Sequence, residues 1–311
     1  MTKLKILFMT RDDHAYTVPA SYYFIQELRK ITDLFVSHQA GDIKQILDSI
    51  SFKPDFIFFN DYLENGSPII TGLKNLTIPF AVGLHDLHFQ TALRKAIIEK
   101  ENIQHIFTFY RDKFLQWYPE FNDRMHWLPH HAHQEIYQDY QHQKDIPILL
   151  TGPVLEDFYP LRAIMQMRLK NRADFVHHLH PGYRTIHADE KDAFVGKSYA
   201  QELNRSKIVL SCDSIFKYPL MKYFEITACN TLLLASYSKE LGDLGFVPGV
   251  HFVAIDELSF EEKIDYYLHH QEERECIARN GMMLTKERHT TEKRAKEFLA
   301  EIEAILMQGT Y

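Results

Sequence analysis

Two runs decide the fold: Leu203-Asn204-Arg205-Ser206-Lys207-Ile208-Val209-Leu210, and further on Tyr218-Pro219-Leu220-Met221-Lys222-Tyr223-Phe224-Glu225-Ile226-Thr227-Ala228-Cys229-Asn230-Thr231-Leu232-Leu233-Leu234. The spacing predicts a helix over 199–205, a strand over 207–211, a helix over 222–229 and a strand over 231–235. A helix returning between two short apolar strands is the crossover that parallel pairing requires. The same alternation continues on both sides. Toward the amino end, Ile146-Pro147-Ile148-Leu149-Leu150-Thr151-Gly152 reads as a strand closed by glycine, followed by a helix over 162–170 and a strand over 174–178. Toward the carboxyl end come a strand over 251–255 and two helical stretches, 260–280 and 291–307.

The first half repeats the pattern independently. Strands are expected over 4–9, 33–37, 55–59, 79–84, 105–109 and 125–128, with helices over 20–31, 41–52, 64–75, 89–101 and 110–118. A polar stretch, 138–145, separates the halves. We expect two Rossmann-like domains, 1–143 and 144–290, and a last helix, 291–311, crossing back to the first. A length of 311 residues gives each domain enough chain for its own core.

Composition removes several function classes. The net charge is −7 and neither half has a basic surplus, so nucleic acid is not an expected partner. No apolar run approaches the roughly 18–20 residues of a membrane span, and the amino end has no signal-peptide core. Cys212, Cys229 and Cys276 are too few and too scattered for a disulfide framework or a metal knot. These features together predict a cytoplasmic protein. There is no GxxxxGK[ST], GxGxxG or GxSxG, which argues against P-loop kinases, classical dehydrogenases and α/β-hydrolases. The histidine runs 130–133 and 177–180 alternate across strand faces and have no cysteine partner, so no metal or other cofactor is expected.

Ligands of open parallel sheets bind outside the carboxyl ends of the strands. The start of the 222–229 helix offers unpaired N–H groups to a diphosphate. Lys222 in its first turn opposes the dipole and wants an anion. Glu225 could accept hydrogen bonds from two sugar hydroxyls, or be a solvated helix carboxylate. Gly152 would let a ligand approach the backbone, and Arg162 could grip phosphate oxygens; a turn glycine and a surface arginine are the alternative. In the first half, Gly83-Leu84-His85-Asp86 ends a strand. An imidazole there can hydrogen-bond a substrate hydroxyl with the neighbouring carboxylate orienting it, or the pair may simply cap the next helix.

These runs resemble the CgeB-like (spore maturation type) glycosyltransferases, relatives of retaining glycosyltransferase family four. The matching features are Leu-Asn-x-Ser-Lys-Ile, Lys-x-Phe-Glu-x-x-Ala-Cys, and the tail carrying Arg274, Ile277-Ala278-Arg279-Asn280-Gly281 and His289-Thr290. The resemblance covers about the last 170 residues well and the rest in outline. It implies a GT-B fold, two facing Rossmann-like domains with an interdomain cleft, and a metal-independent, retaining transfer from a UDP-sugar to an unknown acceptor. It places Gly152, Arg162, His180, Tyr218, Lys222 and Glu225 on the donor, with Glu225 at the ribose and His180 near the base. It places His85 and Asp86 beside the transferred sugar as catalytic candidates, and Asp12, Asp13 and His14 on the acceptor side. Two positions depart from the family: Lys217 stands where a first glutamate is often found, and Asn230 where glycine is usual. A GT-B nucleotide-sugar epimerase, and a non-catalytic sugar- or nucleotide-binding protein of a spore or envelope layer, remain alternatives.

Overall fold

In the computed structural model, residues 3–12, 14–64, 66–187, 189–190 and 193–309 are described. The first half contributes β1 (Lys5–Met9), α1 (Ala20–Ile31), β2 (Asp33–Ser37), β3 (Gly41–Asp42), α2 (Ile43–Ser49), β4 (Phe56–Phe59), β5 (Ile70–Thr71), β6 (Phe80–Leu84), α3 (Thr91–Lys100), β7 (Ile106–Thr108), α4 (Arg111–Trp117) and β8 (Met125–Trp127). The second contributes β9 (Ile146–Thr151), α5 (Pro160–Leu169), β10 (Phe175–His178), α6 (Gly196–Arg205), β11 (Ser206–Leu210), α7 (Met221–Ala228), β12 (Leu232–Ala235), α8 (Lys239–Asp243), β13 (Val253–Ala254), α9 (Phe260–His269), α10 (Gln271–Arg288) and α11 (Thr291–Gln308).

The chain folds as two units. The first comprises residues 1–12, 21–129 and 294–311; the second comprises 13–20 and 130–293. In the first unit a parallel sheet runs in the order β2-β1-β4-β6-β7-β8. Strand β4 is apolar throughout and buried at all four positions, as a central parallel strand covered on both faces must be. Its core joins Ile6, Phe8, Phe24, Phe58 and Phe107 to Ala295, Phe298, Ile302 and Ile305 of α11. The second unit's sheet is also parallel, in the order β10-β9-β11-β12-β13. Its core gathers Ile148, Leu150, Ile208, Leu210, Leu232 and Leu234 with Met165, Phe260, Ile264 and Ile277 from the helices. In each sheet the strand order reverses beside the first strand, between β1 and β4 and between β9 and β11. Those switch points are where the strand ends leave a crevice for ligand.

Two expected elements differ. The helix expected over 64–75 is absent: Pro68 interrupts it, Gly72 takes φ +82°, and Ile70–Thr71 instead pairs in parallel with Gly41–Asp42. The single helix expected over 260–280 is two, broken at His270 (φ −107°, ψ 73°). The break is stabilised by Arg274, whose Nη1 donates to the Tyr267 and Leu268 carbonyls left open at the end of α9.

Candidate active site

At the carboxyl end of β9 the chain turns through Gly152 with φ +102°, a backbone conformation open to glycine at little cost. The turn is also crowded by cations. A Cβ at this position would stand 3.0 Å from Arg162 Nη1 and 3.0 Å from Lys222 Cε. Arg162 comes from the first turn of α5 and is 1% exposed. Its Nη1 donates to the Pro153 carbonyl at 3.0 Å, its guanidinium lies 4.2 Å from the centroid of Tyr159, and its Nε and Nη2 have no hydrogen-bond partner. Lys222, in the first turn of α7, reaches Thr151 Oγ1 at 3.3 Å and Tyr199 OH at 3.2 Å. Burial pushes the Lys222 amine down to about 8, with Arg162 adding repulsion and Glu225 opposing it.

Buried Arg162 and half-buried Lys222 have no carboxylate ion pair among the described residues, so neither cation here is directly neutralised. Leaving such groups uncompensated is costly unless an anion joins them. Glu225 sits one turn along α7 and is 6% exposed; burial raises its carboxyl above the usual range, with Lys222 and Tyr137 pulling the other way. His180 belongs to the same field. Burial, then Lys222 and Arg162, push its imidazole down to about 4, so it is neutral at ordinary pH. Its Nδ1 accepts from the Gly182 amide at 3.0 Å, which leaves the proton on Nε2 as a donor. Tyr218 is buried, its ring 5.3 Å from that of Phe216.

Sequence reading missed two members of this edge. Tyr199, from α6, bridges Lys222 and Thr151 and rides under the ammonium at 4.6 Å from ring centroid to Nζ. Asp213 follows β11 at the switch point and is 7% exposed. Its Oδ1 accepts from Ser236 Oγ at 2.7 Å, and its Oδ2 lies 3.6 Å from Lys217 Nζ. Burial raises this carboxyl, with Ser236 and Lys217 lowering it. Lys217, the departure from the glutamate pattern, has φ +62° and thus faces an acid of its own chain. Asn230 takes φ +53°, a left-handed conformation that asparagine tolerates, and its side-chain amide donates to Asp139 Oδ2 at 3.0 Å.

In the first unit, the carboxylate that meets His85 is Asp61, which follows β4 at the switch point, rather than Asp86. His85 Nδ1 and Asp61 Oδ1 form a short ion pair. Asp61 is fixed from its other side by Asn60, whose Nδ2 donates to Asp61 Oδ2 at 2.8 Å and to Thr10 and Ser21 hydroxyls. Burial works against charge on both partners, but mutual attraction outweighs it: the His85 ring is raised and the Asp61 carboxyl is lowered from their ordinary values. Phe109 stacks on the ring at 4.0 Å. Asp86 is exposed; its main chain is what the fold uses, the amide donating to Glu64 Oε1 and the carbonyl accepting from buried Arg94. Asp12 and His14 are exposed, and Asp13 lies outside the described residues.

Comparison with known proteins shows what the fold is similar to. Residues 161–300 match the family model described as glycosyl transferase-like. The chain carries a glycosyltransferase-like domain on a GT-B fold. No curated protein matches the chain. Among solved structures, HepE of Anabaena in complex with UDP-glucose is similar over 97% of this chain and 100% of its own, at 11% identity and TM-score 0.65. Sucrose-phosphate synthase of Thermosynechococcus elongatus is similar over 86% of this chain and 77% of its own, at 12% identity and TM-score 0.61. An alpha-glucosyltransferase in complex with UDP and a 13-mer DNA containing an HMU base is similar over 96% and 99%, at 12% identity and TM-score 0.60. The glycosyltransferase-like domain thus includes Arg162, Lys222, Glu225 and Asp213, but begins after Gly152. Among the described residues no helix is long and apolar enough to cross a membrane, and no cluster of acidic, histidine or cysteine side chains could hold a metal ion.

Proposed function

We propose that the chain transfers a sugar from a UDP-sugar to an acceptor hydroxyl without a metal ion, and that the second unit holds the donor. The observation that carries this reading is the pairing of buried Arg162 and half-buried Lys222 beneath Gly152, two cations with no direct carboxylate ion pair among the described residues at a sheet's carboxyl edge. A diphosphate would neutralise these cations, and the absence of a side chain at Gly152 leaves room for it beside them. Glu225 would accept from the ribose hydroxyls and the Nε2–H of His180 would donate to the base. Tyr218 remains a donor-side residue in this reading. Two of the similar structures hold UDP or UDP-glucose, which supports the choice of nucleotide.

In a retaining reaction, the bond from the anomeric carbon to the diphosphate breaks and the acceptor oxygen bonds on the same face. The acceptor proton goes to a donor phosphate oxygen, and UDP leaves. Arg162 and Lys222 would stabilise the charge that grows on the leaving group. On the first unit, the same reading makes His85, oriented by Asp61, a hydrogen-bond donor to a substrate hydroxyl, with Asp12, Asp13 and His14 on the acceptor side. The CgeB-like subtype rests on the Lys222–Cys229 and 274–290 runs. A cytoplasmic site of action is part of the proposal, supported by the free thiols of Cys212, Cys229 and Cys276.

The test is a thermal-shift panel of UDP, GDP, ADP and their sugars on the unmodified chain and on Glu225→Gln. A ligand at 100 times its dissociation constant adds about 2.7 kcal/mol, enough for a clear melting shift. Stabilisation by the uridine series that shrinks in Glu225→Gln supports the assignment, and release of free UDP with acceptor establishes transfer. Absence of a shift with every nucleotide overturns the donor site. Conversion of one sugar nucleotide into another makes the chain an epimerase.

A further inference from the structure

The first turns of α10 place Gln271, Arg274, Glu275, Ala278 and Arg279 at spacings of three and four, so they share one face. That face lines a cavity of about 540 Å³ in the second unit. The opposite wall comes from the amino ends of β11 and β12, through Lys207 and Leu232, and from residues 139–144 ahead of β9. The cavity therefore lies at the amino edge of the sheet, whereas Gly152, Arg162 and Lys222 lie at its carboxyl edge. Its size is within the range of about 300–1,000 Å³ typical of small-molecule sites.

The charges around it are unequally satisfied. Both acids are already engaged: Asp139 accepts from the Gln141 amide and from Asn230, and Glu275 accepts from Gln271. Lys144 spends its protons on the Asn204 and Ser206 carbonyls and on Thr231. Arg274 is 5% exposed; its Nη1 holds the end of α9 while its Nε has no hydrogen-bond partner. The side chains of Lys207 and exposed Arg279 make no hydrogen bond or ion pair among the described residues. The amino end of α10, with its dipole, opens on the same space. The site thus has surplus positive charge and an incompletely paired buried guanidinium, beside apolar contact from Leu232 and Ala278.

We propose that this cavity is a second ligand site, for a small phosphorylated molecule. Arginine forks, a lysine and a helix amino end together suit the tetrahedral oxyanion of a phosphoryl group, and the remaining volume admits its carbon skeleton. Burial also pushes the Lys144 amine down to about 8, with Asp139 opposing and Arg274 adding repulsion, so an anion here would favour its charged form.

The proposal does not depend on the nucleotide-sugar reading, and its test is kept separate from that reading by working in the Lys222→Met background. Glucose 6-phosphate is titrated by calorimetry into Lys222→Met and into Lys222→Met carrying Lys207→Ala and Arg279→Ala, both outside the core. The expected result is binding in the first that is at least about tenfold weaker in the second. Hydrogen exchange on Lys222→Met should show protection of 271–279 by the same probe. Glucose and malonate should bind at least about tenfold more weakly than glucose 6-phosphate. No binding, equal affinity in the two proteins, protection elsewhere, or equal binding of glucose or malonate would each overturn the proposal.

Discussion

His85 and Lys222 are half-buried groups whose pKa values are shifted in opposite directions, and each loses its charge as pH rises. His85 is raised above its ordinary value: burial opposes its charge, but Asp61, with smaller contributions from Glu64 and Asp86, outweighs it. If its imidazolium donates to substrate, activity is present below that raised value and is lost as pH rises through it. Removing the carboxylate with Asp61→Asn should move the loss to lower pH and cut kcat by about 10²-fold, in the range of general acid–base contributions. Asp86→Asn, which leaves the main-chain bonds to Glu64 and Arg94 intact, should change kcat less than about threefold. A pH–rate profile of the two variants decides between the partners. Lys222, pushed down to about 8, is charged below that value and neutral above it. Diphosphate affinity should therefore fall as pH rises above 8, and Lys222→Met should flatten the dependence and weaken UDP binding about tenfold or more. UDP affinity that stays level across this range would exclude contact between Lys222 and phosphate.

At the scale of elements, strand and helix order was legible because each apolar run is short and each helix keeps a buried stripe. Strand β2 has the expected bounds, and most others differ by a residue or two. The losses have local causes. Residues 64–75 keep apolar residues at helix-like intervals, but Pro68 and left-handed Gly72 forbid the helix. The stop inside 260–280 has no proline or glycine at all; it exists because a buried arginine one turn later satisfies the carbonyls of α9. Site residues were legible where they sit on one run, as Lys222 and Glu225 do. The Asp61–His85 pair was not, because 24 positions separate partners that adjacent strands β4 and β6 bring together. The nearest signal was position: Asn60-Asp61 follows directly on the all-apolar Phe56–Phe59, as Asp213 follows β11 by a few residues. Packing between elements supplies its own test. Gly281 on α10 meets the loop before β13, where an added Cβ would stand 2.4 Å from the His251 carbonyl oxygen and 3.1 Å from Thr227 Cγ2 of α7. Gly281→Ala gains about 1 kcal/mol of helix propensity. Displacing a backbone carbonyl costs about 1–3 kcal/mol, so the net effect should be a lower Tm. A higher Tm by calorimetry would show that the helix shifts freely against its neighbours.

At the scale of the whole molecule, the core of the first unit is assembled from both ends of the chain. Phe298 of α11 lies 5.3 Å from Phe24, 4.8 Å from Phe58 and 5.1 Å from Phe107, ring centre to ring centre. Ala295, Ile302 and Ile305 are buried in the same cluster. Each large apolar side chain removed from such a core costs about 1.5–3 kcal/mol in transfer alone, and a Phe→Ala cavity about 3–5 kcal/mol. Against a total of about 5–15 kcal/mol, losing the whole α11 stripe leaves nothing in reserve. The second unit takes only Thr291–Lys293 from this helix, and its own core contains none of those side chains. A chain ending at residue 293 should therefore lose the first sheet and keep the second. During synthesis the same logic delays completion of the first unit until α11 emerges, although its strands are made first. Hydrogen exchange read by mass spectrometry checks this directly. In the truncated chain, peptides covering Lys5–Met9 and Phe56–Phe59 should exchange at unfolded rates, while those covering Ser206–Leu210 and Leu232–Ala235 stay protected. Phe298→Ala should lower the protection of the same first-unit peptides without touching the others. Protection retained by both sheets in the truncated chain would mean that the first core closes without α11.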